Sequence, residues 1–142
     1  MTQENAKLMA QELGSRLSYG VKIRVSDKIE TVEGINILDN IVEFGTYMAC
    51  DIDEVKPYLF PLSSMTDEML EELNANGFFK YRDTIANVSH MESNGKVSEE
   101  IYTYIDIENI SFLMEFFYSH HIDFRGLIEK GLALDATGLG IY

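Results

Sequence analysis

The stretch Val55–Asn76, VKPYLFPLSSMTDEMLEELNAN, contains both prolines of the chain and then opens a helix. Pro57 and Pro61 lack a backbone N–H, and each disfavours helical geometry in the residue before it. Residues 56–62 are therefore predicted to be extended or turned. Thr66 is the natural N-cap of the following helix, because its hydroxyl can accept a hydrogen bond from a first-turn amide. The stretch separates a strand-rich first half from a second half with a hairpin, an apolar helix and a glycine-rich tail.

Near the start of the chain, apolar residues recur at helical spacing. Residues 3–17 are predicted to form an amphipathic helix, with Lys7, Gln11 and Glu12 on its outward face. Its buried stripe consists of Ala6, Met9, Ala10, Leu13 and Leu17.

From residue 21 the apolar residues alternate with polar ones, which is the pattern of a half-buried strand. Residues 29–38 and 41–50 are further strand candidates. Turns or bulges are expected where glycines or turn-forming pairs interrupt them, at Gly34, Asp39-Asn40 and Gly45. Consecutive strands with short connections predict an antiparallel meander, or a small curled SH3-like barrel.

The second half of the chain contains a hairpin signal and a very apolar helix. Asn94-Gly95 favours a type I′ turn, so Thr84–Asp106 is predicted to be a β-hairpin. Asn109 is the expected N-cap of a helix over Ile110–Tyr118, whose apolar residues cover most of its circumference and require burial. Together these features predict one α+β domain over residues 1–142, with an antiparallel sheet covered by the N-terminal helix and the Ile110–Tyr118 helix.

The composition is that of a globular protein in a reducing compartment. With 142 residues the chain is long enough for a substantial core, and it has no apolar run that could span a bilayer. Its first residues lack the pattern of a signal peptide, so a cytoplasmic location is expected. The single cysteine, Cys50, lies in an apolar run and is interpreted as a small buried residue rather than a nucleophile.

The charge is uneven along the chain. The protein has a net charge of −13, and residues 27–76 contain twelve acidic and two basic residues, which leaves ten net negative charges. Such a field disfavours direct binding of nucleic acid, unless Arg16, Lys22 and Arg24 form an isolated basic patch. The acids either serve solubility alone or form a face that attracts a basic partner.

The sequence contains only weak signals for metal-binding, cofactor-binding or ligand-binding residues. His120, His121 and Asp123 resemble a metal cluster, but adjacent helical residues point about 100° apart, and no further ligand stands at the right spacing. Gly138-Leu139-Gly140 lacks the residues of a phosphate loop, so no cofactor is implied. Arg125 could bind a carboxylate or phosphate with its planar guanidinium. An ion pair of Arg125 with Asp123 or Glu129 is the preferred interpretation.

Three motifs resemble a known group of sequences: YGVK at 19–22, KPYL followed by PLSSMT at 56–66, and DFRGLIEKGLAL at 123–134. The group is a family of small uncharacterised proteins of Bacteroides-type gut bacteria and their phages and prophages. The resemblance implies an accessory protein of a phage or mobile element that acts inside a bacterium. It implies no activity and no cofactor.

The sequence therefore predicts a non-enzymatic protein that binds another protein, one with a basic surface, through an acidic face, as an inhibitor or a nucleic-acid mimic. It predicts neither direct nucleic-acid binding nor a membrane partner. One alternative is a homo-oligomeric structural or packaging component, and another is a metal-dependent hydrolase that uses scattered carboxylates such as Asp51/Asp53 and Glu71/Glu72. The candidate binding residues are Asp51, Asp53, Glu54, Tyr58, Asp67, Glu68, Glu71, Glu72 and Arg125.

Overall fold

The computed structural model describes residues 1–81, 84–87 and 107–142, and it has the predicted α+β fold. Backbone contacts group the chain into two compact units, one of residues 1–61 with 118–142 and one of residues 62–117. The single domain over residues 1–142 stays a prediction. The elements are α1 (Gln3–Arg16), β1 (Lys22–Val25), β2 (Lys28–Asn36), β3 (Ile41–Phe44), β4 (Met48–Asp51), β5 (Val55–Leu59), α2 (Asp67–Ala75), β6 (Phe78–Tyr81), β7 (Thr84–Asn87), α3 (Ile107–Ser119) and β8 (Leu134–Asp135).

The first unit is built on an open sheet of six strands in the order β4-β3-β2-β1-β5-β8. The predicted meander is confirmed, since β1 to β4 pair consecutively and antiparallel. The alternative of a curled SH3-like barrel is wrong, because β4 and β8 remain as the two edges. The β2–β3 register shifts between Val32 and Gly34, which confirms the predicted bulge.

The core of the first unit lies between α1 and the sheet. Met9, Ala10 and Leu13 of α1 are buried in one cluster with Val21, which precedes β1, and with residues of the strands, among them Ile23, Val32, Val42, Val55 and Leu59. Thr2 caps α1 by accepting a hydrogen bond from the Asn5 amide at 3.1 Å. The predicted helix is therefore confirmed in its extent.

Glu12 corrects the prediction for the outward face of α1. Its side chain was expected to face solvent with Lys7 and Gln11, but the residue is only 1% exposed. A carboxylate is buried at such a position when charged or hydrogen-bonding partners compensate for its lost hydration. One partner, Arg16, lies one turn further along α1, and the other, Arg125, lies 113 positions away in the sequence.

The proline stretch is extended, as predicted. Pro57 lies within β5 and faces Ile23 of β1. The parallel pairing of β5 with β8 starts one residue later, at Tyr58, so the missing N–H of Pro57 interrupts no pair of that ladder. Strand β8 itself was not predicted, because a two-residue parallel strand in a glycine-rich tail has no local signal.

The second unit contains α2, the β6–β7 hairpin and most of α3. Thr66 caps α2 as predicted, accepting from the Met69 amide at 3.2 Å. Strand β6, which the sequence analysis did not identify, pairs antiparallel with β7. Residues 88–106, with the predicted Asn94-Gly95 turn, lie outside the described residues.

Helix α3 begins earlier than predicted. Its first residue is Ile107, so Asn109 lies inside the helix and the prediction that it is the N-cap is wrong. The expected burial of the apolar residues holds for Leu113, Phe116 and Phe117. Within this unit the ring of Phe112 stacks on Phe78 of β6 with centroids 6.1 Å apart.

Candidate functional site

The predicted acidic residues are divided between the two units. Asp51, Asp53 and Glu54 are exposed around the end of β4 in the first unit. Four others are exposed on α2 in the second unit: Asp67, Glu68, Glu71 and Glu72. The two groups are therefore considered separately.

The acids that follow β4 have a local structural role. Asp51 and Glu54 form a reciprocal cap around the short 3-10 helix Ile52–Glu54. The Glu54 carboxylate accepts a hydrogen bond from the Asp51 amide at 3.0 Å, and the Asp51 side chain accepts one from the Glu54 amide. This exchange satisfies backbone donors that the helix start leaves without an intrahelical acceptor. Asp53 remains an exposed carboxylate beside them.

The acids of α2 occupy its solvent-facing side. Asp67 and Glu68 stand in the first turn, where the partial positive charge of the helix N-terminus stabilises carboxylates. Leu73 is the fully buried residue on the opposite side. Since both Glu71 and Glu72 follow on the exposed side, α2 presents a continuous negative surface.

The other two predicted binding residues are engaged inside the first unit. The Tyr58 side chain is buried. Arg125 donates from Nε to Glu12 Oε1 at 2.6 Å, and its guanidinium lies 5.0 Å from the centroid of the Phe124 ring. The preferred pairing of Arg125 with Asp123 or Glu129 is therefore wrong. Asp123 instead accepts hydrogen bonds from the amides of Leu127 at 2.8 Å and Ile128 at 2.9 Å.

Glu12 is held from two sides, which explains its burial. Arg16 is fully buried and donates through Nη2 to Glu12 Oε2 at 2.9 Å and to the Ile122 carbonyl at 2.7 Å. Arg125 approaches the other carboxylate oxygen of Glu12. We refer to Glu12, Arg16 and Arg125 as the buried ion cluster. Because Arg16 is inside it, the conceivable basic patch of Arg16, Lys22 and Arg24 does not form.

The sequence analysis missed a groove on the outer face of the meander. The groove has a volume of about 510 Å³ and is lined by Glu33, Glu43, Gly45, Thr46, Tyr47, Met48 and Ala49. Both glutamates are exposed, and they lie on neighbouring strands because Glu43 pairs with Gly34, the residue after Glu33. A Cβ at position 34 would stand 2.7 Å from the flexible end of the Glu43 side chain, which would have to move aside. We call this site the acidic groove.

Tyr47 is the most unusual residue of the acidic groove. It is fully exposed, at 101% of its reference area, and it adopts a φ of +63°. The left-handed region is uncommon for a bulky side chain, and backbone strain of this kind clusters at functional sites. The turn Gly45–Tyr47 between β3 and β4 therefore presents an aromatic ring to solvent beside two carboxylates. Met48, which is 56% exposed, adds apolar surface.

The negative potential near β4 also affects Cys50. Burial, and then the charges of Glu54, Asp51 and Asp53, raise the pKa of the Cys50 thiol above its usual value. A raised pKa keeps the thiol protonated at neutral pH, and the thiolate is the nucleophilic form. Cys50 itself is only partly buried, which corrects the prediction that it is a small buried residue.

A second groove, of about 300 Å³, brings Asp51 and Asp53 close to Asp39 and to the first residues of α1. No three His, Cys, Asp or Glu side chains in residues 1–81, 84–87 and 107–142 are arranged to hold a metal ion. His121, one of the residues considered for a metal cluster, is instead buried against Tyr142.

No family model, curated protein or solved structure matches the chain, so the resemblance of its three motifs stays a prediction. Among the helices that the structure describes, none is both long enough and apolar enough to cross a membrane. The surface geometry is therefore the basis for a functional hypothesis.

Tyr47 could have been noticed from the sequence, because the aromatic residue directly follows a Gly-Thr turn between two strand-like runs.

Proposed function

We propose that the protein is a non-enzymatic binding protein that engages a basic protein partner through the acidic groove. The observation that carries the proposal is the fully exposed Tyr47, with its positive φ, in one groove with the exposed Glu33 and Glu43. This combination suits a lysine or arginine side chain of a partner, which can pair with Glu33 or Glu43 and lie against the tyrosine ring. Met48 offers apolar contact to neighbouring residues of the same partner.

The excess of acidic residues along the chain also favours a basic partner. Residues 27–76 contain ten more acidic than basic residues, and that segment includes the groove. A surface of one sign raises the rate of encounter with a surface of the opposite sign, and the effect decreases as salt screens the charges.

Aromatic and arginine contacts usually dominate the binding energy of protein interfaces. A tyrosine that buries its ring on binding loses little conformational entropy for the area it covers. Tyr47 is therefore the expected anchor of the interface, while Glu33 and Glu43 select a cationic partner.

The proposal includes a biological setting that rests on the three motifs alone. Their resemblance suggests an accessory protein of a phage or mobile element acting inside a bacterium. An acidic protein in that setting could inhibit a nucleic-acid-binding protein by occupying its basic surface in place of the nucleic acid.

The experiment measures binding of a fluorescent peptide of alternating arginine and leucine by anisotropy, with a glutamate–leucine peptide as negative control. The test variant is Glu33→Lys with Glu43→Lys, and the matched control is Glu71→Lys with Glu129→Lys, which changes the net charge equally at exposed sites outside the groove. We expect the groove variant to lose about tenfold or more in affinity, and the control to lose much less. Equal losses of affinity in the two variants would mean that only the net charge matters. That result would contradict binding at the acidic groove.

Tyr47→Ala separates the aromatic contribution from the charge. We expect it to weaken binding at about 50 mM and about 500 mM salt alike, because the ring contact is less screened than exposed charges. A lysate pull-down with wild type, the groove variant and the control then identifies the physiological partner. A protein retained by the control variant and lost with the groove variant would be that partner.

A homo-oligomeric component is a second candidate, favoured by one observation. In the turn between β2 and β3, Ile37 is 71% and Leu38 95% exposed, and paired apolar residues at a loop tip are typical of contact surfaces. Light scattering of the wild type and of Ile37→Ser with Leu38→Ser distinguishes the two functions. An oligomer that dissociates only in this variant would favour the structural component.

The remaining rival is a metal-dependent hydrolase that uses the carboxylates. Melting temperatures measured with Mg²⁺, Mn²⁺ or Zn²⁺ test it, because a ligand that binds the folded state stabilises it by mass action. A large shift with one ion would contradict the non-enzymatic proposal.

A further inference from the structure

The chain that follows α3 is tied to the end of β5. The Phe60 amide donates to the His121 carbonyl at 2.8 Å, and the Asp123 amide donates to the Phe60 carbonyl at 2.8 Å. These bonds fix the backbone on both sides of Ile122, which forms a parallel bridge with Phe60. His121 and Phe60 are thereby held as two walls of one small socket.

Tyr142 fills this socket with its ring. The ring stacks on the His121 imidazole with centroids 3.8 Å apart and planes at 16°, and it meets the Phe60 ring at 5.8 Å. The phenol hydroxyl accepts a hydrogen bond from the Lys22 amide at 2.9 Å and donates one to the Tyr58 carbonyl at 2.7 Å. The residue as a whole is 41% exposed, and burial of its hydroxyl end raises the pKa of the phenol to about 12.

The two backbone groups at the bottom of the socket belong to neighbouring strands. Strands β1 and β5 pair from Val25↔Val55 to Ile23↔Pro57, and the next step of that register would place Lys22 opposite Tyr58. The phenol hydroxyl stands between the Lys22 amide and the Tyr58 carbonyl, where the ladder would otherwise continue. One group that both donates and accepts is needed there, and a hydroxyl has this property while a hydrocarbon does not.

His121 has two features that side-chain packing does not explain. It is 6% exposed, its Nδ1 has no hydrogen-bond partner, and its φ of +56° is uncommon for a non-glycine residue. Buried polar atoms in folded proteins are almost always paired, so an unpaired one marks a site that requires an explanation. The imidazole contacts the Tyr142 ring through its face, so the stacking fixes the imidazole in place and leaves Nδ1 without a partner.

The segment before Tyr142 lies on the surface and is bonded within itself. Residues 137–140 are all exposed, the Thr137 amide and hydroxyl donate to Asp135 Oδ1, and the Leu139 amide donates to the Ala136 carbonyl. The Ala136 amide donates to the Leu59 carbonyl at 2.8 Å, and the Tyr142 side chain makes a further attachment through the socket. The pairing of β5 with β8 ends at Leu59↔Asp135, so a movement of the later residues leaves the strands in place.

We propose that this socket is a binding site for a phenol ring, and that Tyr142 is its intramolecular, exchangeable occupant. The site takes para-substituted phenols, whose ring stacks on His121 and whose hydroxyl bridges the Lys22 amide and the Tyr58 carbonyl. Two sources of this chemistry are a small phenolic compound and a tyrosine side chain of a second protein. The socket shares no residue with the acidic groove, so it is independent of the function proposed above.

The experiment uses the full chain with Tyr142→Ala, which empties the socket. Its probe is p-cresol, with toluene as the matched control that lacks the hydroxyl. We expect a saturable rise in the melting temperature of Tyr142→Ala of about 4 °C with p-cresol at about ten times its dissociation constant. The wild type, whose socket is already occupied, should respond much less, because p-cresol competes with a tethered ring.

Tyr142→Phe serves as a further control, because its ring still occupies the socket and p-cresol should not rescue it. N-Acetyltyrosinamide distinguishes the two sources of the phenol ring. If both N-acetyltyrosinamide and p-cresol stabilise the variant, the socket has room for a tyrosine within a peptide. If p-cresol alone stabilises it, the ligand is a small compound. An equal effect of toluene, an equal effect on wild type and variant, or no effect on a folded variant would each overturn the proposal.

If Tyr142→Ala does not fold, NMR of the wild type provides the test. The resonances of the Tyr142 ring should shift with p-cresol and not with toluene, since displacement takes that ring away from the face of the His121 imidazole. Tyr142 resonances that do not move with about 10 mM p-cresol would overturn the proposal.

Discussion

The buried ion cluster and the acidic groove contain glutamates in opposite situations. Glu12 is 1% exposed and contacts both Arg16 and Arg125, whereas Glu33 and Glu43 lie exposed at the rim of an open groove. Removing a partner from a buried charge leaves an uncompensated cost, while an exposed charge is hydrated and costs little. The comparison teaches that the charges that stabilise this fold and those available to a partner are different sets.

The largest expected effect comes from breaking the buried ion cluster. Arg16→Met removes the donor to Glu12 and to the Ile122 carbonyl and leaves the Glu12 carboxylate buried with one partner fewer. We expect a loss of about 3 to 5 kcal/mol in the free energy of unfolding, measured with urea. The exposed Arg24→Met is the control, with a change of about 0.5 kcal/mol or less.

Replacing both Glu12 and Arg16 tests whether the two residues act as a pair. Glu12→Met with Arg16→Met removes the carboxylate together with its buried partner, and Arg125, whose side chain is 42% exposed, can turn to solvent. We expect the double variant to be more stable than Arg16→Met alone. A double variant that is less stable by the full sum would show that the two residues do not act as a pair.

A smaller loss is expected for the buried carboxylate of Asp123. Asp123→Ala leaves the amides of Leu127 and Ile128 without their acceptor, at a cost of about 1 to 3 kcal/mol measured by urea unfolding. Glu129→Ala, at an exposed position of the same segment, is the control. Similar stabilities of the two variants would mean that solvent replaces Asp123 as the acceptor.

The fourth prediction concerns pH. Burial, and then the charge of Arg16, lower the pKa of His121 from its ordinary 6.5 to about 4, with smaller effects from the Tyr19 backbone, His120 and Lys22. The unfolded chain therefore binds more protons between pH 4 and 6.5, and stability should fall as the pH decreases through this window. Above pH 6.5 the contribution is fully present.

His121→Asn isolates this effect, because asparagine tolerates a positive φ and does not titrate. Unfolding midpoints in urea from pH 4 to 7 should decrease less steeply in the variant than in the wild type. Parallel curves for the two proteins would assign the acid sensitivity to carboxylates elsewhere in the chain.

The smallest change in stability is expected at the acidic groove. Glu33→Lys with Glu43→Lys should alter the free energy of unfolding by about 0.5 kcal/mol or less, because both side chains are exposed. The same variant is expected to abolish most peptide binding, as proposed above. A destabilisation as large as that of Arg16→Met would mean that the groove is part of the folding core. The same carboxylates would then stabilise the fold as well as face a partner.

Local signals in the sequence were sufficient for most elements of the first unit. The 3.6-residue repeat of apolar residues gave α1, the alternation near Ile23 gave β1, and Gly34 and Gly45 marked the bulge and the turn. Each of these depends on neighbours within a few residues, which the sequence contains. The cap of α2 by Thr66 was predictable for the same reason.

The tertiary structure alone decided the buried ion cluster, strand β8 and the socket of Tyr142. Arg125 reaches Glu12 across 113 positions of sequence, and Tyr142 reaches Lys22 across 120. A charged residue on the polar side of a helix is expected to face solvent unless a distant partner compensates for its burial, and no local pattern reports that partner. The acidic composition was likewise visible in the sequence, but which carboxylates stand beside the exposed Tyr47 depended on the register of β2 and β3 and on the turn after Gly45.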